Sequence, residues 1–128
     1  MNKKALRLDD YLLHMEDAIS RVQRYTHSKS QTDFNADEQL QDAVIRNIEI
    51  IGEAAHNVAI HAPAFTQLHH DIPWAALYAM RNRLSHGYWT IDLAVVWQVI
   101  QRDLPTLKEQ LKQCRAASAL GADLGTDR

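Results

Sequence analysis

Cysteine occurs once, at Cys114, proline three times and glycine four times in 128 residues. A lone cysteine excludes an internal disulfide, and so few turn formers argue against a fold of tight β-hairpins. No stretch approaches the roughly 18 uncharged apolar residues that span a bilayer. The N-terminal Met1-Asn2-Lys3-Lys4 leads into Leu6-Arg7-Leu8-Asp9-Asp10 rather than an apolar signal core. A soluble protein in a reducing, cytoplasmic setting is expected, with no membrane association. Global positive charge is lacking too: 14 Lys and Arg against 16 Asp and Glu leave a net charge of -2, and composition supplies no general drive toward nucleic acid.

What is present favours helices. Ala, Leu, Gln, Glu and Arg, all good helix formers, recur throughout. Leu8, Leu12, Met15, Ile19 and Val22 follow three-and-four spacing, predicting an amphipathic helix of about five turns. The polar stretch from His27 to Asp33 has no period and reads as a loop. A second helix is expected to start near Asn35 to Asp37, with Asn35 as cap and Glu38 three residues on. Its stripe is Leu40, Val44, Ile48, Ile51, Ala55 and Val58, and the small residues Gly52, Ala55 and Ala59 would let another helix come close. His61 to Ile72 reads as a connection. Pro73 suits the first turn of a third helix carrying Trp74, Leu77, Tyr78, Met80 and Leu84, with Gly87 as terminator. A fourth runs from Thr90 or Asp92 through Leu93, Val96, Trp97, Ile100, Leu104, Leu107 and Leu111, with a kink expected at Pro105. The fold class is therefore all-α, an up-and-down bundle of four to five helices formed by residues 1–114, followed by a flexible tail over 115–128.

Charge is unevenly spread. Residues 1–30 carry six Lys and Arg against four Asp and Glu, residues 31–75 one against seven, and residues 76–128 seven against five. A polyanion site should draw on the first or last third.

The densest polar chemistry lies in Arg81-Asn82-Arg83-Leu84-Ser85-His86-Gly87-Tyr88. Asn82 and His86, four apart, share a helix face, whereas Arg81 and His86, five apart, sit roughly 140° around the axis and converge only if the helix breaks near Ser85. An imidazole, with an unperturbed pKa of about 6.5, can move a proton at neutral pH. A guanidinium can stabilise charge building on a phosphoryl group. Those two roles suffice to cleave RNA, which carries its own nucleophile in the 2'-hydroxyl. Arg and His at a helix C-terminus also complement the macrodipole, so plain capping is the competing reading.

The string Arg81-x4-His86-x-Tyr88 resembles the signature of HepT-like HEPN ribonuclease toxins. So do several other blocks in order: Asp10-Tyr11-Leu12, Phe34, Ala43-Val44-Ile45-Arg46, Ile51-Gly52-Glu53-Ala54, Ile72-Pro73-Trp74, Val96-Trp97 and Asp103-Leu104-Pro105. The resemblance covers about Leu8 to Leu111. It implies a homodimer whose Arg/His motifs face a shared cleft, acting as a metal-independent endoribonuclease with no cofactor. It further implies the toxin half of a type VII-like toxin-antitoxin pair, restrained by a minimal nucleotidyltransferase antitoxin of the MNT type. On that reading Arg81 and His86 are the catalytic pair, Asn82 positions substrate or histidine, and Tyr88 is the tyrosine that the antitoxin modifies with AMP. The alternatives are a non-catalytic nucleotide- or substrate-binding subunit of the nucleotidyltransferase, and a pure interaction protein.

Other residues carry weaker signals. Arg46, Glu49 and Glu53 form one charged stripe that reads as a solvated face, with Arg46, Glu49 and Arg83 as candidate cleft or interface residues. Asn47 falls on the apolar face and needs a partner if buried. His56, His61, His69 and His70 lack the tight paired spacing of a structural zinc site, so no metal is expected. Arg83, Arg102, Lys108 and Lys112 are candidates to widen a phosphate path. Trp74, Trp89 and Trp97 read as core or dimer anchors.

Overall fold

In the computed structural model, residues 3–87 and 90–125 are described, with side chains for 7–87 and 90–117. Helices α1 (Lys3–Thr26), α3 (Glu38–His61) and α5 (Trp74–His86) are three of the four long members of the bundle. The fourth is a continuous helix made of α6 (Leu93–Gln98), a π-helical stretch (Val99–Asp103) and α7 (Leu104–Gly125). Two six-residue helices, α2 (Gln31–Ala36) and α4 (Pro63–Leu68), lie in the connections. The architecture is all-α, as the periodicities predict.

The stripes predicted for α1 and α3 face one core. Leu12, Met15, Ile19 and Val22 are fully buried against Val44, Ile48, Ile51, Ala55 and Val58, and Ile100, Leu104, Leu107 and Leu111 close the far side. Burying a large aliphatic side chain stabilises by about 1.5–3 kcal/mol, so this shared face is the main source of stability. The polar exception, Asn47, is satisfied: its Nδ2 donates to the Ala43 carbonyl at 2.8 Å and its Oδ1 accepts from Arg21 Nε of α1 at 2.7 Å. A buried amide with both ends paired avoids the penalty of an unsatisfied buried group.

The connections depart from expectation. Part of the expected loop at His27 to Asp33 is the start of α2, because Ser30 and Asp33 form a reciprocal capping box: Ser30 Oγ accepts from the Asp33 amide at 3.1 Å and Asp33 Oδ2 from the Ser30 amide at 2.9 Å. Hydrogen bonding from the Ser30 backbone draws the Asp33 carboxyl below its ordinary value. Phe34, fully buried, anchors that turn. The cap of α3 is Asp37 and not Asn35, its Oδ1 accepting from the Leu40 amide at 3.0 Å. Within the expected 61–72 connection, Pro63 opens α4, taking the first-turn role assigned to Pro73, which instead is the N-cap of α5.

Pro105 leaves the last helix continuous. The π-helical stretch just before it, in which the Leu104 amide reaches back to the Val99 carbonyl, widens the turn where the proline ring would otherwise press on Gln101. Helical backbone continues to Gly125. Arg115 makes a two-pronged ion pair with the buried Glu16 of α1 through Nε and Nη2.

Candidate active site

Helix α5 carries the polar segment, and α3 holds it from behind. Its apolar side chains are only partly covered: Trp74 and Leu84 are buried, while Leu77, Tyr78 and Met80 are half-buried. The contact with α3 is close because Gly52 lies under α5. A Cβ at Gly52 would collide with Arg81 Cβ and lie 2.6 Å from the Leu77 carbonyl oxygen. The small residue predicted to admit a neighbouring helix admits this one.

Arg81 turns toward α3. Its Nε lies 3.2 Å from Glu53 Oε2, its Nη1 donates to Asn82 Oδ1 at 2.9 Å, and its Cζ is 5.9 Å from the centre of the Tyr78 ring. His56 is stacked on Tyr78, with centroids 3.7 Å apart and planes 7° from parallel. One turn further along α5, Ser85 Oγ donates to Glu49 Oε2 at 2.9 Å. Arg46 is exposed and touches Glu49 only loosely, at 4.0 Å. A partly exposed pair such as Arg81 with Glu53 is worth only about 0–1 kcal/mol, so what it fixes is orientation.

His86 ends α5 and is exposed. It lines a cleft of about 470 Å³ together with Asn82, Arg83, Thr90 and Asp92. Asp92 caps α6, its Oδ1 accepting from the Ala94 amide at 2.9 Å, which fixes the cleft's far wall. Asn82 and His86 thus share one face, as their spacing predicts. The helix break expected near Ser85 does not occur: α5 runs unbroken through His86, because the Gly87 amide still reaches the Arg83 carbonyl at 2.9 Å. Gly87 caps the helix at φ -124°, outside the left-handed region. Within one chain, then, the turn of the helix directs Arg81 to α3 and His86 to the cleft, and Asn82 accepts from Arg81 while lining that cleft. Tyr88 and Trp89 lie outside the described residues.

Two further histidines lie against aromatic rings. His61 stacks on Tyr11 at 5.7 Å and His69 lies against Phe65 at 4.5 Å. Among the described residues no three His, Cys, Asp or Glu side chains gather as metal ligands, and no helix is long and apolar enough to cross a membrane. Lys108 donates to Gln23 Oε1 at 2.9 Å, away from the α5 motif. Sequence reasoning did not identify Glu53 and Ser85 as partners of the motif and of α3. Their trace was available in matched four-residue spacings, 49 to 53 on one helix and 81 to 85 on the other.

The family model for HepT-like ribonucleases matches residues 15–114. Over 106 residues the chain is 38% identical to a protein of Thermococcus cleftensis named "Probable ribonuclease HepT", covering 83% of this chain and 94% of that one. It is 41% identical over 101 residues to a Methanocaldococcus jannaschii protein named "Gamma-glutamylcyclotransferase and putative RNase", covering 79% of this chain but 44% of that longer relative. A Caldanaerobacter subterraneus protein named "Putative RNase" is 32% identical over 106 residues, covering 83% of this chain and 88% of that one. No solved structure gives a significant match.

Proposed function

Because the chain belongs to the HepT-like ribonuclease family, we propose that it is an endoribonuclease that cleaves RNA through Arg81 and His86, without a metal or cofactor. The observation that carries this reading is Asn82, which accepts from the Arg81 guanidinium while lining the cleft that His86 enters. A phosphate lodged beside Asn82 would lie within the field of the guanidinium and within reach of the imidazole.

The chemistry follows from those groups. The RNA 2'-hydroxyl oxygen attacks the adjacent phosphorus, its proton passing to an imidazole. The bond from phosphorus to the 5'-oxygen breaks, and that oxygen takes a proton from an imidazolium. The products are a 2',3'-cyclic phosphate and a 5'-hydroxyl. Arg81 offsets the charge that builds on the phosphoryl oxygens. A homodimer that sets two motifs across one cleft supplies one imidazole for each proton transfer, which a single His86 facing away from its own Arg81 does less readily. Arg83, on the cleft wall, adds positive charge along the backbone path.

The acidic middle third fits this account in part, because Glu49 and Glu53 are engaged with α5. The proposal extends to a cytoplasmic toxin restrained by a nucleotidyltransferase antitoxin that adenylylates Tyr88. An AMP group two residues along the chain from His86 would add a negative charge and a nucleoside to the motif and repel RNA. Mass spectrometry of the Tyr88 peptide after incubation with such a partner and ATP tests it; an unmodified peptide would count against it. The ribonuclease reading is tested by incubating the protein with RNA in EDTA. Cleavage is expected for the wild type and lost in His86→Ala; nucleotide binding without cleavage would favour a non-catalytic subunit instead.

A further inference from the structure

The two carboxylates of α3 meet α5 as matched rungs. Glu53 holds Arg81 Nε at 3.2 Å, and Glu49, one turn away, accepts from Ser85 at 2.9 Å. Since 49 to 53 and 81 to 85 are both four-residue steps, the rungs fix the sliding and the rotation of α5 against α3 together. Gly52, between the rungs on α3, keeps the backbones close. Arg81 is confined on two further sides, by Asn82 and by the Tyr78 ring that His56 backs. A guanidinium on a flexible stem normally loses its freedom when the substrate arrives; here much of that ordering precedes binding.

Resting on the ribonuclease reading of Arg81, we propose that Glu53 is its positioning residue: the carboxylate grips the Nε edge and sets the direction in which the guanidinium meets the scissile phosphate. Glu53 does not touch RNA, since a carboxylate beside a phosphate repels it; it works from behind the arginine. Half of the Glu53 side chain is exposed, so its loss should leave folding intact and appear in turnover.

The test uses the full-length protein with Glu53→Ala, Glu53→Gln and Arg81→Ala. Glu53→Ala should lower kcat by about tenfold or more while KM changes by less than about threefold, because misplacement of a catalytic group by about an ångström costs rate rather than binding. The melting temperature should stay at the wild-type value, and Glu53→Gln, which keeps an acceptor oxygen, should recover part of the rate. Independently of activity, the Arg81 Nε-H proton should exchange slowly with water in the wild type, read by nitrogen-proton NMR, and rapidly in Glu53→Ala. An inactive Arg81→Ala beside a fully active Glu53→Ala would overturn the positioning role alone. A fully active Arg81→Ala would overturn the role of Arg81 and the positioning with it. An Arg81 Nε-H that exchanges equally fast in wild type and Glu53→Ala would also overturn the proposal.

Discussion

Gly52 of α3 lies so close beneath Arg81 of α5 that a methyl group on the glycine would occupy the space of the arginine's own Cβ. The glycine is needed here for its lack of a side chain. The depth at which α5 rests on α3, and with it the reach of Glu53 to Arg81 and of Glu49 to Ser85, depends on that one position.

Gly52→Ala should therefore push α5 outward. The obstacles include the Leu77 backbone carbonyl, which cannot swing aside as a long side chain can. Overpacking of this kind costs about 1–3 kcal/mol. Thermal melting should show the loss, and RNA cleavage should fall further than stability alone explains, because both rungs lengthen. A variant that melts and cleaves as the wild type does would refute the close approach.

Cys114 offers a pH test of the α7 packing. It is buried, and desolvation, aided by the negative charges of Asp71 and Glu16, pushes its thiol up to about 11 from an ordinary 9.0. A thiol whose folded pKa is raised contributes stability that is fully present below the unfolded pKa and is lost as pH rises through the folded one. Stability should accordingly decline between about pH 9 and pH 11, and replacing Cys114 with Ala should flatten that part of the profile. Thiol reagents at neutral pH should label the protein only after denaturation. Rapid labelling of the native protein would contradict the burial.

The long helices were legible in the sequence because each carries several turns of regular apolar spacing, as in Leu12, Met15, Ile19 and Val22. The short ones were not. α2 depends on one capping box and the single anchor Phe34, and α4 on a first-turn proline, signals too brief for any period to register. In the site, Asn82 and His86 were placed correctly by local spacing, since both lie on one helix. The partner of Arg81 was not, because Glu53 is 28 positions earlier and only the packing of α3 on α5 brings it near. The break near Ser85 that would have brought Arg81 and His86 together in one chain is absent, and Ser85 is tied to Glu49 within an intact helix.

On the proposed reading, Arg81 and His86 drive attack by the RNA 2'-hydroxyl. Its most direct test is the chemistry of the product ends after cleavage in EDTA. Wild-type protein should leave 2',3'-cyclic phosphate and 5'-hydroxyl ends, with Arg81→Ala and His86→Ala yielding neither. Products bearing 5'-phosphate ends, or cyclic phosphate formed undiminished by His86→Ala, would contradict it.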